Sequence, residues 1–335
     1  MPATDKIRII TWNVGGAKFL RQPEPERRDT LRDLRQEFDS LVRRYRPDIV
    51  LLQEFERYGD ARAPRALLEA PRGYFCDVSI ALDTESQSHP TKWSQYHVDG
   101  GWPPDTYLAH GYGILWRRDV RHCSLWDFDC DVGPRLEKEM VHIETGLYTG
   151  YRDTEPRLAV VTHFAFGADG AEVDVLIINL HLTTLKGERE GIPSRDDAGA
   201  RMRLGQIDMI LNGIVSRYNE TMHPEYRRRS RHPPIWVIAG DFNCVPGSPE
   251  IRKMARMNFV DLNPNKGAGT KSSSFPVDKA TITLDYIFAG PAYHALNRYA
   301  VEREVQSNPL PLSEVKVSDH LPLLADLPLC LPGQS

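Results

Sequence analysis

The sequence predicts a single α/β domain of the four-layered sandwich type, in which two packed mixed β-sheets are flanked by helices. Three observations favour this fold. Short β-branched runs recur along the chain, and two stretches of helical periodicity lie between them. The strands also outnumber the helices without alternating with them, as a doubly wound parallel sheet would require. No repeat, composition shift or long Gly/Ser tract marks a boundary, so residues 1–335 are predicted to fold as one domain.

The predicted strands are short runs dominated by Val, Ile, Leu and Phe, which is typical of buried strands. Apolar residues spaced three and four apart predict two amphipathic helices, at residues 31–45 and 204–218. The strand runs are residues 7–11, 48–52, 114–116, 158–164, 173–180, 235–239, 282–288 and 323–327.

Three stretches rich in Gly, Pro, Ser or charge are predicted to be loops or insertions, at about 83–107, 186–198 and 263–274. Long loops in a compact domain are often functional, so these are candidates for substrate selection. Trp93, Trp102 and Tyr107 in the first could stack on a base or a sugar, or could pin the loop to the body of the protein.

The composition is that of an ordinary globular protein. Of the 335 residues, 41% are hydrophobic and 26% are charged, which excludes the fibrous and disordered classes. The net charge of −4 provides no overall basic footprint for non-specific nucleic-acid binding. Five cysteines without C-x-x-C spacing predict reduced thiols. The apolar runs are strand-sized and no secretory segment is visible, so we expect no membrane span and a cytoplasmic location.

Polar side chains follow several of the predicted strands. Asn13 ends the run T-W-N, Glu54 ends L-Q-E, and His181 lies in N-L-H-L-T. Strand ends lie at the rim of a sheet, where functional side chains are often carried. A lone Asn or Glu at such a position is usually a cap or a solvated loop residue, so these residues become informative only together with the fragments below.

The run V-I-A-G-D-F-N is more specific. Gly240 permits a tight exit from the strand, and Asp241 and Asn243 then point the same way from extended backbone. The alternative is an Asx turn that caps a following helix near residues 248–257. Such a turn would explain one of the two polar residues but hardly both.

The last two fragments pair acids with a histidine. Asp285 lies inside the strand-like run L-D-Y-I-F, and Asp319 and His320 lie in S-D-H-L-P just before the final strand. A buried carboxylate needs a partner, so we expect Asp285 to orient His320 and raise its basicity.

These candidates are mostly hard oxygen donors, together with two histidines, and each lies near a strand end. Such donors suit Mg²⁺ or Mn²⁺ better than zinc. Mg²⁺ usually takes one or two carboxylates and retains waters and substrate phosphates. The sequence therefore predicts a Mg²⁺ site, with Mn²⁺ as the alternative.

The order of the motifs T-W-N, L-Q-E, N-x-H-L, G-D-F-N, L-D-Y-I-F and S-D-H-x-P resembles the endonuclease/exonuclease/phosphatase superfamily. This superfamily includes DNase I, AP endonucleases, deadenylases, sphingomyelinases and inositol polyphosphate phosphatases. The resemblance runs from about residue 7 to residue 327, nearly the whole chain. It implies the DNase I-like fold and metal-dependent hydrolysis of a phosphate ester by in-line attack of water, with one or two metal ions.

The resemblance also implies a role for each metal and water ligand. Glu54 would be the principal metal ligand, helped by Asn13 and by Asp319. Asp241 would position or deprotonate the attacking water, and Asn243 would hold that water or a phosphate oxygen.

The two histidines would serve the phosphate. His320, oriented by Asp285, would bind the scissile phosphate and stabilise its developing charge. His181 stands where many members carry a histidine that contacts phosphate or assists the leaving group, whereas AP endonucleases tend to carry a tyrosine there.

The chain leaves a catalytic strand end after His181, so the following polar residues are candidates for substrate binding: Thr183, Lys186, Arg201 and Arg203. The densest basic run, at residues 227–231, could contact a phosphate backbone or could simply be solvated.

The form G-D-F-N-x-x-P-x-S resembles nuclease- and deadenylase-like members more than inositol phosphatases, which usually have Trp before the Gly and an aromatic–Arg pair after the Asn. The first functional hypothesis is a nuclease or nucleotide phosphodiesterase whose substrate is a nucleic acid or nucleotide. The alternative is a phosphomonoesterase or a sphingomyelinase-like lipid phosphodiesterase. A catalytically dead binding module would have lost Glu54, Asp241 or His320, and all three are present. The sequence predicts no oligomeric state.

Overall fold

The computed structural model of the chain describes residues 6–85, 90–125, 136–143, 157–167, 172–184, 197–222, 233–262, 282–290, 308–309 and 318–329. The strands are β1 (Lys6–Asn13), β2 (Ile49–Gln53), β3 (Arg57–Gly59), β4 (Arg65–Ala66), β5 (Tyr74–Asp83), β6 (Tyr107–Arg117), β7 (Arg121–Cys123), β8 (Lys138–Ile143), β9 (Arg157–Phe166), β10 (Val173–His181), β11 (Ile235–Asp241), β12 (Val260–Asp261), β13 (Asp285–Gly290), β14 (Asn308–Pro309) and β15 (Leu323–Pro328). The helices are α1 (Gly16–Leu20), α2 (Glu26–Tyr45), α3 (Pro90–Gly100), α4 (Asp197–Asp208), a π-helical segment (Met209–Ser216), α5 (Arg217–Thr221) and α6 (Pro249–Arg256).

The strands form two mixed sheets, each with one parallel pair of strands at its centre. The first has the order β14-β15-β1-β2-β6-β3-β4, with β5 also paired to β6. The second has the order β12-β13-β11-β10-β9-β7, with β8 also paired to β9. Strands β1 and β2 are parallel at the centre of the first sheet, as are β10 and β11 at the centre of the second, and the other pairs are antiparallel. Each sheet therefore has an edge where two parallel strands end together.

Among the described residues, alternation along the strands divides most apolar side chains among three main cores. On β1, Ile7 and Ile9 belong to the core between the two sheets, whereas Ile10 and Trp12 pack with the buried face of α2. On β10, Leu176 and Ile178 pack with the helical segment that runs through residues 197–221. The layers are therefore helix, sheet, sheet and helix.

The predicted fold class is confirmed. Each predicted strand overlaps an observed one, although residues 114–116 are part of the much longer β6. The two predicted helices are α2 and the segment at 197–221, whose middle is π-helical. Strands β5 and β8 were missed because their half-exposed residues include Asp77 and Glu139, which interrupt the apolar pattern.

The loop prediction for residues 83–107 is wrong in its centre, where α3 forms. Trp93 and Tyr96 of this helix are buried. Trp102 packs against Phe19 and Tyr58, with ring centroids 6.5 and 5.6 Å apart. Residues 186–196 and 263–274 lie outside the described residues. Among the described residues, no helix is long and apolar enough to cross a membrane.

Candidate active site

Strand register brings one row of polar side chains together at the edge of the second sheet. His181 is paired with Asp241 across the parallel strands β10 and β11, and Asp241 is paired with Asp285 across β11 and β13. Paired residues on neighbouring strands share a face of the sheet. All three side chains are buried, so the row faces the interior edge between the two sheets.

The first sheet contributes Asn13 and Glu54 to the same place. Asn13 is the last residue of β1, and Glu54 directly follows β2. The Asn13 Nδ2 atom donates hydrogen bonds to Glu54 Oε1 at 3.3 Å and to Asp241 Oδ2 at 3.1 Å. This amide therefore joins the ends of both parallel strand pairs into one site.

A second amide connection lies directly beneath the site. Gln53 Nε2 donates to Asn179 Oδ1 at 2.8 Å and to Thr11 Oγ1 at 3.0 Å. Asn179 Nδ2 donates to two backbone carbonyls of the first sheet, those of Leu52 and Gly113, each at 3.1 Å. Gln53 and Asn179, which belong to the L-Q-E and N-x-H-L motifs, thus fix the two sheets relative to each other.

Two of the four described non-glycine residues with positive φ lie at the site. Glu54 and Asn243 have φ values of 50° and 49°, in the left-handed region that side chains with a Cβ rarely adopt. For Glu54 this conformation costs about 1 kcal/mol, and it persists where surrounding contacts hold it. Gly240 has φ 143°, and a Cβ there would overlap the Leu180 carbonyl oxygen. The glycine allows β11 to run close beside β10 just before Asp241.

Asp241 is held by its own turn rather than by a helix. Its Oδ1 atom accepts from the backbone N–H of Asn243 at 2.8 Å, and Asn243 Nδ2 donates to the Leu182 carbonyl at 3.1 Å. The following helix, α6, is instead capped by Ser248, whose hydroxyl accepts from the N–H of Ile251. The Asx turn is present, but it does not cap the helix.

His320 and Asp285 form the predicted pair. The His320 Nδ1 atom lies 2.9 Å from Asp285 Oδ2, and its Nε2 atom lies 3.7 Å from Asp241 Oδ2. The backbone is fixed as well, because Trp12 Nε1 donates to the His320 carbonyl at 2.9 Å. Asp319 beside it is exposed, and its carboxylate lies next to Gly15 at the end of β1.

Burial and neighbouring charges set the protonation of the central pair. Burial raises the pKa of Asp241 to about 7, although the positive charge of His320 opposes the shift. Burial alone would lower the pKa of His320, but the carboxylates of Asp285 and Asp241 outweigh it and raise that pKa well above its ordinary value. His320 is therefore a cation at neutral pH, and Asp241 titrates near neutrality.

Sequence reasoning missed one residue of the site, Arg157. It is the first residue of β9 and is buried. Its Nη1 atom lies 2.9 Å from His181 Nδ1, while His181 Nε2 lies 3.4 Å from Asp241 Oδ2. The pairing of the strands could have indicated Arg157. Because β9 and β10 are consecutive antiparallel strands, the start of β9 lies beside the end of β10, where His181 is located.

The donor atoms fit a hard cation. Glu54 is half-buried and accepts from Asn13, and Asp319 is exposed near Gly15, so both carboxylates are accessible to a cation from solvent. Asp241, Asp285 and His320 also offer ligand atoms within 4.8 Å of one another. Because His320 Nδ1 is engaged with Asp285, we interpret this second group as a hydrogen-bonded acid–histidine pair beside a carboxylate.

The four substrate-binding candidates have different environments. Thr183 is buried and hydrogen-bonds through its hydroxyl and its N–H to Gln206 at 2.9 and 3.0 Å. Arg203 is also buried and pairs with Glu250 at 2.9 Å. These contacts favour structural roles for both side chains, and their part in substrate binding stays a prediction. Arg201 is exposed on α4, and Lys186 lies outside the described residues.

Comparison with solved structures shows the same fold at low sequence identity. The catalytic domain of human Nocturnin, solved with a bound sulfate anion, is 16% identical with a TM-score of 0.54, covering 96% of this chain and 94% of that chain. An endonuclease/exonuclease/phosphatase from Bacteroides vulgatus is 15% identical with a TM-score of 0.55, covering 97% and 100%. ANGEL2, described as a 2′,3′-cyclic phosphatase in complex with adenosine-2′,3′-vanadate, is 14% identical with a TM-score of 0.53, covering 98% of each chain.

A comparison with curated protein sequences gave no match. A family model described as "Endonuclease/Exonuclease/phosphatase family" matches residues 10–320, which includes every residue of the candidate site from Asn13 to His320. The chain therefore belongs to the endonuclease/exonuclease/phosphatase family, whose members are hydrolases of phosphoric esters.

Proposed function

We propose that the chain is a divalent-metal-dependent phosphodiesterase that hydrolyses a nucleic acid or a nucleotide by in-line attack of water. One observation carries the proposal. Three side chains from three different segments, Asn13, His181 and His320, converge on a single oxygen of Asp241, at 3.1, 3.4 and 3.7 Å. Hydrogen-bond donors around a buried carboxylate, next to Glu54, can hold both a water and a phosphate oxygen in place.

Glu54, Asn13 and Asp319 would hold Mg²⁺, or Mn²⁺ in its place. Their oxygen donors suit these cations, and Asp319 is exposed to solvent. When bound, the cation supplies positive charge that offsets the negative charge developing on the phosphate oxygens.

The remaining roles follow from hydrogen bonding and charge. Asp241 orients the attacking water and accepts its proton, which suits a carboxyl group whose pKa is raised to about 7 by burial. Asn243 lies next to it and holds the water or a phosphate oxygen. His320, kept cationic by Asp285, binds the scissile phosphate. His181 approaches the same phosphate from the opposite side of Asp241.

The choice of a nucleotide substrate rests on the form of the G-D-F-N motif. Nocturnin and ANGEL2 share the fold, and the description of ANGEL2 makes a cyclic nucleotide one substrate to test. We also propose a cytoplasmic location, supported by the free thiols of Cys76 and Cys244.

A substrate panel tests the proposal. Single- and double-stranded DNA, RNA, a 2′,3′-cyclic nucleotide, bis(p-nitrophenyl) phosphate, sphingomyelin and inositol phosphates are assayed with Mg²⁺, Mn²⁺ or EDTA. We expect hydrolysis of a nucleotide substrate that EDTA abolishes. Turnover of sphingomyelin or of inositol phosphates alone would favour the lipid or monoester alternatives.

Variants identify the site. Glu54→Gln should lower kcat by about 10²-fold or more, since it removes a charged ligand, and His320→Gln should lower it by about 10²- to 10³-fold because it removes a charge-stabilising donor. Glu69→Gln changes an exposed carboxylate in the same part of the chain and serves as the matched control. Activity that survives EDTA, or survives in both site variants, would exclude the mechanism.

A further inference from the structure

We propose that Arg157 is a positioning residue that holds His181 as the neutral tautomer protonated on Nε2. His181 then gives a hydrogen bond to the phosphate but does not protonate the leaving group. The chemical role of His181 rests on the proposed function, whereas its tautomer follows from the geometry alone.

The hydrogen bond between the two side chains has only one possible direction. A guanidinium group has N–H donors and no acceptor, so the short contact of Arg157 Nη1 with His181 Nδ1, 2.9 Å, requires Nδ1 to accept. An accepting Nδ1 carries no proton. The single proton of the neutral ring is therefore on Nε2, the atom that faces Asp241 Oδ2 at 3.4 Å.

The surroundings fix this arrangement in place. Arg157 and His181 are each 3% exposed, on adjacent strands whose register pairs Ala159 with Leu180. The Arg157 Nη2 atom also donates to Thr184 Oγ1 at 3.3 Å, just beyond the end of β10. Two strands and two contacts thus hold the guanidinium at the His181 ring, and burial excludes bulk water as a substitute donor.

The Nδ1 atom of His320 has an acceptor as its partner, whereas that of His181 has a donor. The partner of His320 Nδ1 is the Asp285 carboxylate, which accepts only, so that nitrogen carries a proton. Both imidazoles direct Nε2 toward Asp241. The Nδ1 atom of His320 faces the carboxylate of Asp285, whereas the Nδ1 atom of His181 faces the guanidinium of Arg157. A second proton on His181 would place two N–H groups and two positive charges in contact, which a buried site strongly disfavours.

The reaction consequence follows from the tautomer. A neutral imidazole with its proton on Nε2 can donate a hydrogen bond to a phosphate oxygen. It is not an effective acid, because giving up that proton would leave an imidazolate anion. His320 supplies the positive charge, and His181 supplies an oriented neutral donor.

Nitrogen NMR of the [¹⁵N]histidine-labelled chain at pH 7 tests the tautomer without any activity. The His181 resonances, assigned by their loss in His181→Gln, should show a bare Nδ1 and a protonated Nε2. In Arg157→Met the two nitrogens should move toward the averaged values of a mixed tautomer, and Arg157→Lys, which keeps a donor, should restore most of the difference. A wild-type ring protonated on Nδ1, or on both nitrogens, would overturn the proposal even if the enzyme is active.

Kinetics test the role. If Arg157 acts through His181, Arg157→Met should lower kcat by about 10- to 100-fold, as for other supporting residues, and by less than about threefold in a His181→Gln background. His181→Gln should slow aryl and alkyl phosphodiesters by similar factors. A loss many times larger for the alkyl ester would mean that His181 protonates the leaving group, and equal effects of Arg157→Met in both backgrounds would mean that Arg157 acts independently. If no substrate turns over, the proposed function fails while the NMR result still decides the tautomer.

Discussion

The substitution Arg203→Met separates a structural arginine from a substrate-binding one. Arg203 lies on α4 with its guanidinium buried between α4, α6 and the turn after His181. Its Nε donates to Glu250 at 2.9 Å, with 2% and 1% of the two side chains exposed. Its Nη1 donates to the carbonyls of Thr183 and Thr184 at 3.3 and 3.4 Å. Methionine fills a similar volume but removes the charge and every donor.

The expected loss follows from the partner that remains. Breaking a buried ion pair on one side leaves an uncompensated charge and costs about 3–5 kcal/mol. For 335 residues the entropy of unfolding is about 0.7 kcal/mol per kelvin, so the midpoint of thermal unfolding should fall by about 4–7 °C. Adding Glu250→Gln removes the orphaned charge and should recover most of the loss.

Urea unfolding followed by circular dichroism and tryptophan fluorescence measures these differences. Arg201→Met is the matched control, since Arg201 is two residues away on the same helix but exposed. It should change the free energy of unfolding by less than about 0.5 kcal/mol. If Arg201 contacts substrate, its replacement should raise KM instead. An Arg203→Met protein that keeps its stability while KM rises would refute the structural assignment of Arg203.

Three further predictions concern the site and its supports. Asp285→Asn should shift the basic limb of the pH–rate profile to lower pH, because the pKa of His320 falls without the carboxylate and the cation is lost earlier as pH rises; an unmoved limb would contradict this role. Gly240→Ala should lower the free energy of unfolding in urea by at least about 2 kcal/mol, since a Cβ there meets the Leu180 carbonyl and φ is 143°. Asn179→Leu should cost about 2–4 kcal/mol because it removes a buried amide that donates to two backbone carbonyls of the first sheet and accepts from Gln53, and a loss below about 1 kcal/mol would exclude the proposed link between the sheets.

Much of the fold was readable from the sequence because its central strands are buried on both faces. A continuous run such as Val237 to Ala239 is unambiguous, and the spacing of Leu34, Phe38, Leu41 and Val42 predicts α2 directly. Strand β5 was missed because it is half-exposed and interrupted by polar residues. Helix α3 was missed because its Trp93 and Tyr96 gain their packing partners only in the folded chain.

The candidate site, like the fold, could be predicted only in part from the sequence. The positions of Asn13, Glu54, Asp241 and His320 at strand ends could be predicted, since each polar residue follows or precedes an apolar run. That Asn13 touches Glu54 and Asp241 together could not, because the contact joins two sheets that approach each other only in the tertiary structure.

By itself the sequence determined which residue types stand at the strand ends, and hence the acidic, oxygen-rich chemistry of the site. Only the tertiary structure determined which side chains contact these residues. It buried Arg203 against Glu250, although Arg201 two residues earlier is exposed, because a helix turns the two side chains in different directions. It also placed Arg157 behind His181 and Asp285 behind His320. The protonation of a histidine depends on the charged groups within hydrogen-bonding distance. Arg157 and Asp285 lie on different strands from the histidines that they contact, and the register of those strands is fixed only in the folded chain.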